Sequence, residues 1–199
     1  MDTASIEQAA LAHDGVGEAL VWTLPGTGET ALLVASPDFL SGLQLRLHLE
    51  QAGAPGPALV IVAEEIVRTG GGDPDPAWLA EAVEQDAYRY VAPDGPVETA
   101  LAECWQSVLD VPRVGVEDDF VDLGGDSFSA VLIANQAEER FGVPVAAPDL
   151  YVAGTIRALA GGIEPVAEPA AEPAAEPVAE PVAEPAAEPA AEPVVETRR

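Results

Sequence analysis

The last 36 residues constrain the chain most. From Glu164 to Val195 a four-residue unit, Glu-Pro followed by two residues drawn from Ala and Val, repeats eight times. Proline at every fourth position removes one helical hydrogen bond per turn and clashes with the turn before it. Glutamate at the same period adds self-repulsion, and no aromatic side chain is present to form a core. Such a segment cannot bury enough to offset its ordering entropy. We expect residues 163–199 to be a disordered tail, extended and partly polyproline II, reaching roughly 100 Å at ~3.1 Å per residue. Folding is thereby confined to the preceding residues, and the 48% hydrophobic content overstates the core because Ala and Val fill the repeat.

The charge is equally one-sided. The chain carries 35 Asp and Glu against eight basic residues, all Arg, for a formal net charge of −27. The tail holds nine Glu and two Arg, so 26 acidic and six basic residues remain before it. A phosphate backbone would repel such a chain, so nucleic-acid binding is excluded as a working function. An anionic membrane surface is disfavoured on the same ground. Without lysine this chain offers no Schiff base, P-loop lysine or catalytic ammonium. Cys104 stands alone, and His13 and His48 are the only histidines, so we expect neither an intrachain disulfide nor a metal site. The start, Met1 to Ser5, has no signal-peptide character, and the apolar run Ala58–Ala63 is too short to span a bilayer. A cytoplasmic, reducing setting is the expectation.

Residues 1–75 read as a small α+β layer. Ser5-Ile6-Glu7-Gln8 has the capping-box pattern and opens a helix through Ala12. Gly17–Leu24 and Thr30–Ala35 read as strands around the turn residues Pro25 to Glu29. Ser36-Pro37-Asp38 is expected to start a longer helix with Phe39, Leu40, Leu43 and Leu47 at helical spacing. Gly53–Pro57 breaks it, and Leu59–Val62 is a short buried strand. Residues 76–96 read as a linker or helical boundary, with Trp22 and Trp78 as core or boundary anchors. Residues 97–162 read as an all-α four-helix bundle. Its first helix shows the stripe Leu101, Trp105, Val108 and Leu109, and Asp110–Asp126 forms a long loop. A second helix follows from Ser127 to Phe141-Gly142, then a turn of helix around Asp149-Leu150-Tyr151, then Thr155–Ala160.

The chemistry concentrates at Gly124-Gly125-Asp126-Ser127. Two glycines allow a sharp turn, and Asp126-Ser127 falls at a helix start. A phosphate attached to Ser127 would face unpaired amides and the positive end of the helix dipole. The bland alternative is that Ser127 or Asp126 merely caps the helix. On a helical wheel Ala130, Ile133, Ala134, Ala137 and Phe141 share one arc, the core face. Phe128, Val131 and Leu132 fall outside it, near Ser127. They form either an exposed docking patch or a second buried side of a small bundle. Cys104 reads as a small packed side chain, His13 and His48 as helix-surface residues, and the acidic run Glu117-Asp118-Asp119-Asp122 as a solvated loop.

At this point the residues carry a resemblance. Asp118-Asp119-Phe120-Val121-Asp122-Leu123-Gly124-Gly125-Asp126-Ser127-Phe128 resembles the attachment motif of peptidyl carrier (thiolation) domains of nonribosomal peptide synthetases. The likeness continues through Ala137–Val143 and the closing Asp149-Leu150-Tyr151 and Thr155–Ala160. It implies covalent 4′-phosphopantetheine on Ser127, shaped by Gly124 and Gly125, with Asp126 helping to position the transferase's metal or phosphate. Phe128, Val131 and Leu132 would meet partners. The arm would hold an aminoacyl or peptidyl thioester in secondary-metabolite (antibiotic) biosynthesis. Implied partners are a phosphopantetheinyl transferase, an adenylation enzyme acting in trans, and condensation, tailoring or thioesterase domains.

Residues 1–75 resemble the small C-terminal subdomain of adenylation enzymes, beginning at the helix Ser5–Val16. The chain starts after the point where the large ATP-binding subdomain would lie. Where that family has a Thr…Gly-Lys…Asp loop, this chain reads Thr69-Gly70-Gly71-Gly72-Asp73. We therefore expect no catalysis of its own and no catalytic residues. The rival readings are a non-enzymatic docking adaptor, an acyl carrier of a polyketide-type pathway, and an adenylating fragment completed by another chain.

Overall fold

The computed structural model describes residues 2–85 and 87–163. Of the disordered tail expected over 163–199, Glu164 onward lies outside the described residues, whereas Ile163 is buried in the helical core and does not belong to a tail. Helix α1 (Thr3–Leu11) is capped by Asp2, whose carboxylate accepts from the Ala4 amide and the Ser5 hydroxyl. The expected cap at Ser5 is thus displaced by three residues, because the acidic side chain upstream reaches the free amides first. Strands β1 (Glu18–Thr23) and β2 (Thr30–Ala35) form the antiparallel hairpin. Helix α2 (Gly42–Gln51) crosses to β3 (Leu59–Ala63), which runs parallel to β2.

Helix α2 starts later than the sequence suggests. Its cap is Ser41, in a reciprocal box with Gln44. Ser36 precedes a proline, which disfavours helical backbone, and its hydroxyl binds the Asp38 carbonyl. Phe39, expected on the apolar stripe, lies before the helix and is fully exposed. The helix buries two sides, Leu45 and Leu49 against the sheet and Leu43, with Leu47 beside it, toward the helical core.

Of the stretch 76–96, expected to be a linker, residues 76–85 and 87–89 belong to the sheet layer, and Gly95 and Pro96 open the next helix. The former are α3 (Pro76–Gln85) and β4 (Ala87–Arg89), and β4 pairs antiparallel with β3, giving the order β1-β2-β3-β4. Helices α1 and α2 cover one face, against Leu32, Val34 and Val60. Helix α3 covers the other, where Leu79 and Ala82 meet Ala31, Leu33, Leu59 and Ile61, with Trp22 and Trp78 packed half-buried at its margin. Burial on both faces is why β2 and β3 read as continuous apolar runs rather than alternating ones.

The helices that follow are α4 (Gly95–Leu109), α5 (Ser127–Phe141), α6 (Ala147–Ala153) and α7 (Ile156–Ala160). Pro96 sits in the first turn of α4, where no amide is needed. Gly142, at φ +68°, closes α5. The core contains Leu101, Trp105, Phe120, Ile133, Ala137, Leu150 and Ile156. Phe120 stands edge-on to Trp105 at 5.2 Å and to Tyr151 at 5.3 Å between ring centres. Leu43 of α2 belongs to the same cluster, with Leu47, Tyr88 and Val91 packed against it. The sheet layer and the helical part thus form one compact unit.

Candidate functional site: the start of helix α5

The second half of the loop from Asp110 to Asp126 is held by hydrogen bonds within itself and to the end of α6. Asp119 accepts from the Val121 and Asp122 amides, which makes the first turn. The Phe120 amide donates to the Gly154 carbonyl at 2.7 Å, and the Gly125 amide returns to the Phe120 carbonyl at 2.8 Å. The two glycines serve different ends. Gly124 has φ +90° with open space around it, so it supplies the turn. Gly125 supplies room, since a Cβ there would stand 2.5 Å from both Cζ and the carbonyl oxygen of Phe120.

Asp126 is the N-cap of α5. Its Oδ1 accepts from the Phe128 and Ser129 amides at 3.1 and 2.8 Å, and the Ser129 hydroxyl accepts from the Asp126 amide at 2.7 Å. Hydrogen bonds from Ser129, backbone and side chain, hold the Asp126 carboxyl below its usual range. The Phe128 and Ser129 amides are therefore capped without the Ser127 hydroxyl. That residue is the first of the helix and exposed, and among the described residues no hydrogen bond engages its hydroxyl.

Around it the wheel resolves into two faces. Ala130, Ile133, Ala134 and Ala137 are buried, with Phe141 half-buried. Phe128 is 73% exposed, Val131 47% and Leu132 38%, so these three lie on the surface rather than in a second buried side. Val121 in the preceding loop, and Tyr151 and Val152 on α6, are also exposed apolar side chains. The wheel of one helix could not include them.

Other expectations need correction. The acidic run is not simply solvated. Asp118 is 2% exposed and receives the Arg46 guanidinium at 2.8 Å, the Tyr88 hydroxyl at 2.7 Å and the Gly115 amide at 2.7 Å. Burial, with Asp118 facing it, pushes the Tyr88 phenol well above its ordinary value. The available signal was on α2, where Leu43, Arg46, Leu47 and Glu50 share one helical face. The histidines are not separate surface residues. Their rings meet edge-to-face at 5.0 Å, and His48 Nε2 lies 3.0 Å from the Ala9 carbonyl. Cys104 is buried, as expected of a packed side chain, and burial pushes its thiol up. The Thr69–Asp73 segment is a closed turn, with Thr69 and Asp73 joined by a 2.8 Å backbone bond. Arg68 beside it donates to the Gly72 carbonyl at 2.6 Å and pairs with Glu18. Among the described residues no cluster of three metal-ligating side chains occurs, and no helix is long and apolar enough to cross a membrane.

The family described as "Phosphopantetheine attachment site" matches residues 99–163. Over 168 residues the chain is 32% identical to malpibaldin synthetase of Mortierella alpina, covering 80% of this chain and 3% of that protein. Over 174 residues it is 30% identical to tyrocidine synthase 3 of Brevibacillus parabrevis, covering 84% and 3%. The chain spans 3% to 7% of the length of these two and of six further curated relatives. Both alignments are more than twice as long as the family match, so the likeness reaches into the sheet layer. Among solved structures, that of the phosphopantetheine transferase Sfp with coenzyme A and a peptidyl carrier protein includes a chain 38% identical, at TM-score 0.36, covering 37% of this chain and 96% of that one. Residues 99–163 form a carrier domain of the phosphopantetheine attachment-site family, the kind found in nonribosomal peptide synthetases, for which 4′-phosphopantetheine is the covalent cofactor.

Proposed function

We propose that Ser127 is the attachment residue and that the chain presents an aminoacyl or peptidyl group to partner enzymes without catalysing a reaction itself. The observation that carries this is the division of labour at the start of α5. Asp126 and Ser129 satisfy the helix terminus, and the Ser127 hydroxyl stays exposed and unengaged beside them. A residue needed for the cap would lose its bond on modification, whereas this one loses nothing. The group, when bound, supplies a long flexible thiol on which acyl groups ride as thioesters. The chain's own residues orient it. The dipole of α5 favours a phosphodiester at its first residue, and Gly124 turns the backbone so that the hydroxyl faces outward. Asp126, occupied in capping through Oδ1, keeps Oδ2 for a transferase-bound cation. Phe128, Val131 and Leu132 form the partner face.

The adenylation-type part is inactive in this reading. The Thr69–Asp73 turn has no lysine, and Arg68 beside it is held by Glu18. An adenylation enzyme in trans would load the arm, a phosphopantetheinyl transferase would install it, and condensation, tailoring or thioesterase domains would receive the cargo, all in the cytoplasm. The domain organisation proposed is a sheet layer over residues 1–75, extended by α3 and β4, then a four-helix carrier bundle over 97–162 and the repeat tail. The test is intact-protein mass after incubation with a promiscuous transferase and coenzyme A. One added arm on the wild type and none on Ser127→Ala is expected. An arm retained on Ser127→Ala, or none on the folded wild type, overturns the assignment.

A further inference from the structure

We propose that the N-terminal sheet layer is a fixed scaffold for the attachment loop, with Arg46 as a positioning residue for modification at Ser127. The inference rests on Ser127 being the attachment residue and gives the adenylation-type part a role that needs no lysine.

The contact between the two parts is ionic at its centre and buried. Arg46 on α2 is 1% exposed. Its Nη2 donates to Asp118, 72 residues away, while Nη1 donates to Glu50 at 3.0 Å and to the Arg113 carbonyl at 2.9 Å. Arg113 returns through Nε to Glu50 at 2.9 Å and stacks over Tyr90 at 4.0 Å. Two cations and two anions balance. Leu43 enters the carrier core beside them, and the Val116 amide donates to the Val91 carbonyl at 2.9 Å.

This cluster is a poor source of stability. Arg46 Nε and Glu50 Oε2 are buried with no hydrogen-bond partner among the described residues, and buried ion pairs with unmet polar atoms rarely repay their desolvation. What the cluster does supply is one register between two surfaces. That register is passed to the site along the backbone. Asp118 bonds the Gly115 amide and so fixes the turn before Phe120. Phe120, wedged between Trp105 and Tyr151, seats Gly125 by a direct bond, and Gly125 is two residues from Ser127.

If the scaffold holds the loop, loosening it leaves the presented conformation populated only part of the time. Apparent affinity for the transferase then falls by that fraction while turnover of the bound carrier is unchanged. The experiment is steady-state transfer of phosphopantetheine from coenzyme A to the full chain by a promiscuous transferase. Variants are Arg46→Met, Arg46→Lys and Tyr88→Phe, each shown folded by far-UV circular dichroism at the assay temperature. Arg46→Met should raise KM for the carrier roughly tenfold with kcat within about twofold, matching a competent fraction near one in ten. Arg46→Lys, which keeps a cation for Asp118, should restore most of the loss. Tyr88→Phe keeps every charge and should raise KM about threefold, and it decides the matter alone if Arg46→Met fails to fold. KM unchanged in Arg46→Met and Tyr88→Phe, or a loss confined to kcat, overturns the scaffold role while leaving Ser127 in place. A folded wild type that takes no arm overturns the attachment reading itself.

Discussion

Replacing Gly125 with alanine probes the site through a single methyl group. A Cβ at this position would lie 2.5 Å from Phe120 Cζ and from the Phe120 carbonyl oxygen, where ordinary contact begins near 3.4 Å. The ring cannot retreat, because Phe120 is fully buried between Trp105 and Tyr151. The carbonyl cannot retreat without losing its 2.8 Å bond to the Gly125 amide. Overpacking of this kind costs about 1–3 kcal/mol, and loss of one backbone hydrogen bond adds about 1 kcal/mol. At about 2–4 °C per kcal/mol for a chain of this size, a penalty near 3 kcal/mol lowers Tm by roughly 6–12 °C. Thermal unfolding followed by far-UV circular dichroism measures it. Gly124→Ala is the control for backbone strain, since its Cβ meets nothing but its φ is +90°; about 1–2 kcal/mol is expected there. A Gly125→Ala chain that melts within about 2 °C of wild type, below the shift expected for even 1 kcal/mol, would refute the claim that this glycine is required for room.

Phe128→Asp, at a side chain 73% exposed, should leave Tm nearly unchanged yet abolish aminoacyl loading by the partner adenylation enzyme; normal loading of the folded variant would remove Phe128 from the partner face. The buried Cys104, with its thiol pushed up, should not react with a thiol reagent at neutral pH in the folded apo chain. One fast thiol should then appear on attachment of the arm, and rapid labelling of Cys104 before loading would contradict the packing. The Asp126 carboxyl is depressed in the folded state, so its capping contribution is complete above the unfolded carboxylate pKa of about 3.9 and is lost as pH falls through its lower folded value. Amide signals of Phe128 and Ser129 should therefore shift together below about pH 4, and Asp126→Asn, an equally good cap without the titration, should abolish that shift.

Much of this protein is legible locally. Helices α4 to α7 and the hairpin β1–β2 announce themselves by periodicity and by glycine and proline at their ends. The start of α2 is misleading in sequence, because a Ser-Pro-Asp run carries helix-start residues in a backbone that proline keeps extended. Strand β4 is illegible because three residues, Ala87–Arg89, have no period of their own and become a strand only when β3 supplies hydrogen bonds.

The attachment motif, the core face of α5 and the lack of lysine follow from the chain's order of residues alone, because each depends on near neighbours or on bare composition. Three things waited on the folded arrangement: which residue caps α5, why Gly125 must be small, and that Asp118 is buried against Arg46 rather than solvated. The first turns on which of two neighbouring oxygens reaches the amides. The other two are contacts between surfaces, and a charge carries no mark in its local sequence of the partner that a fold will bring to it from 72 residues away.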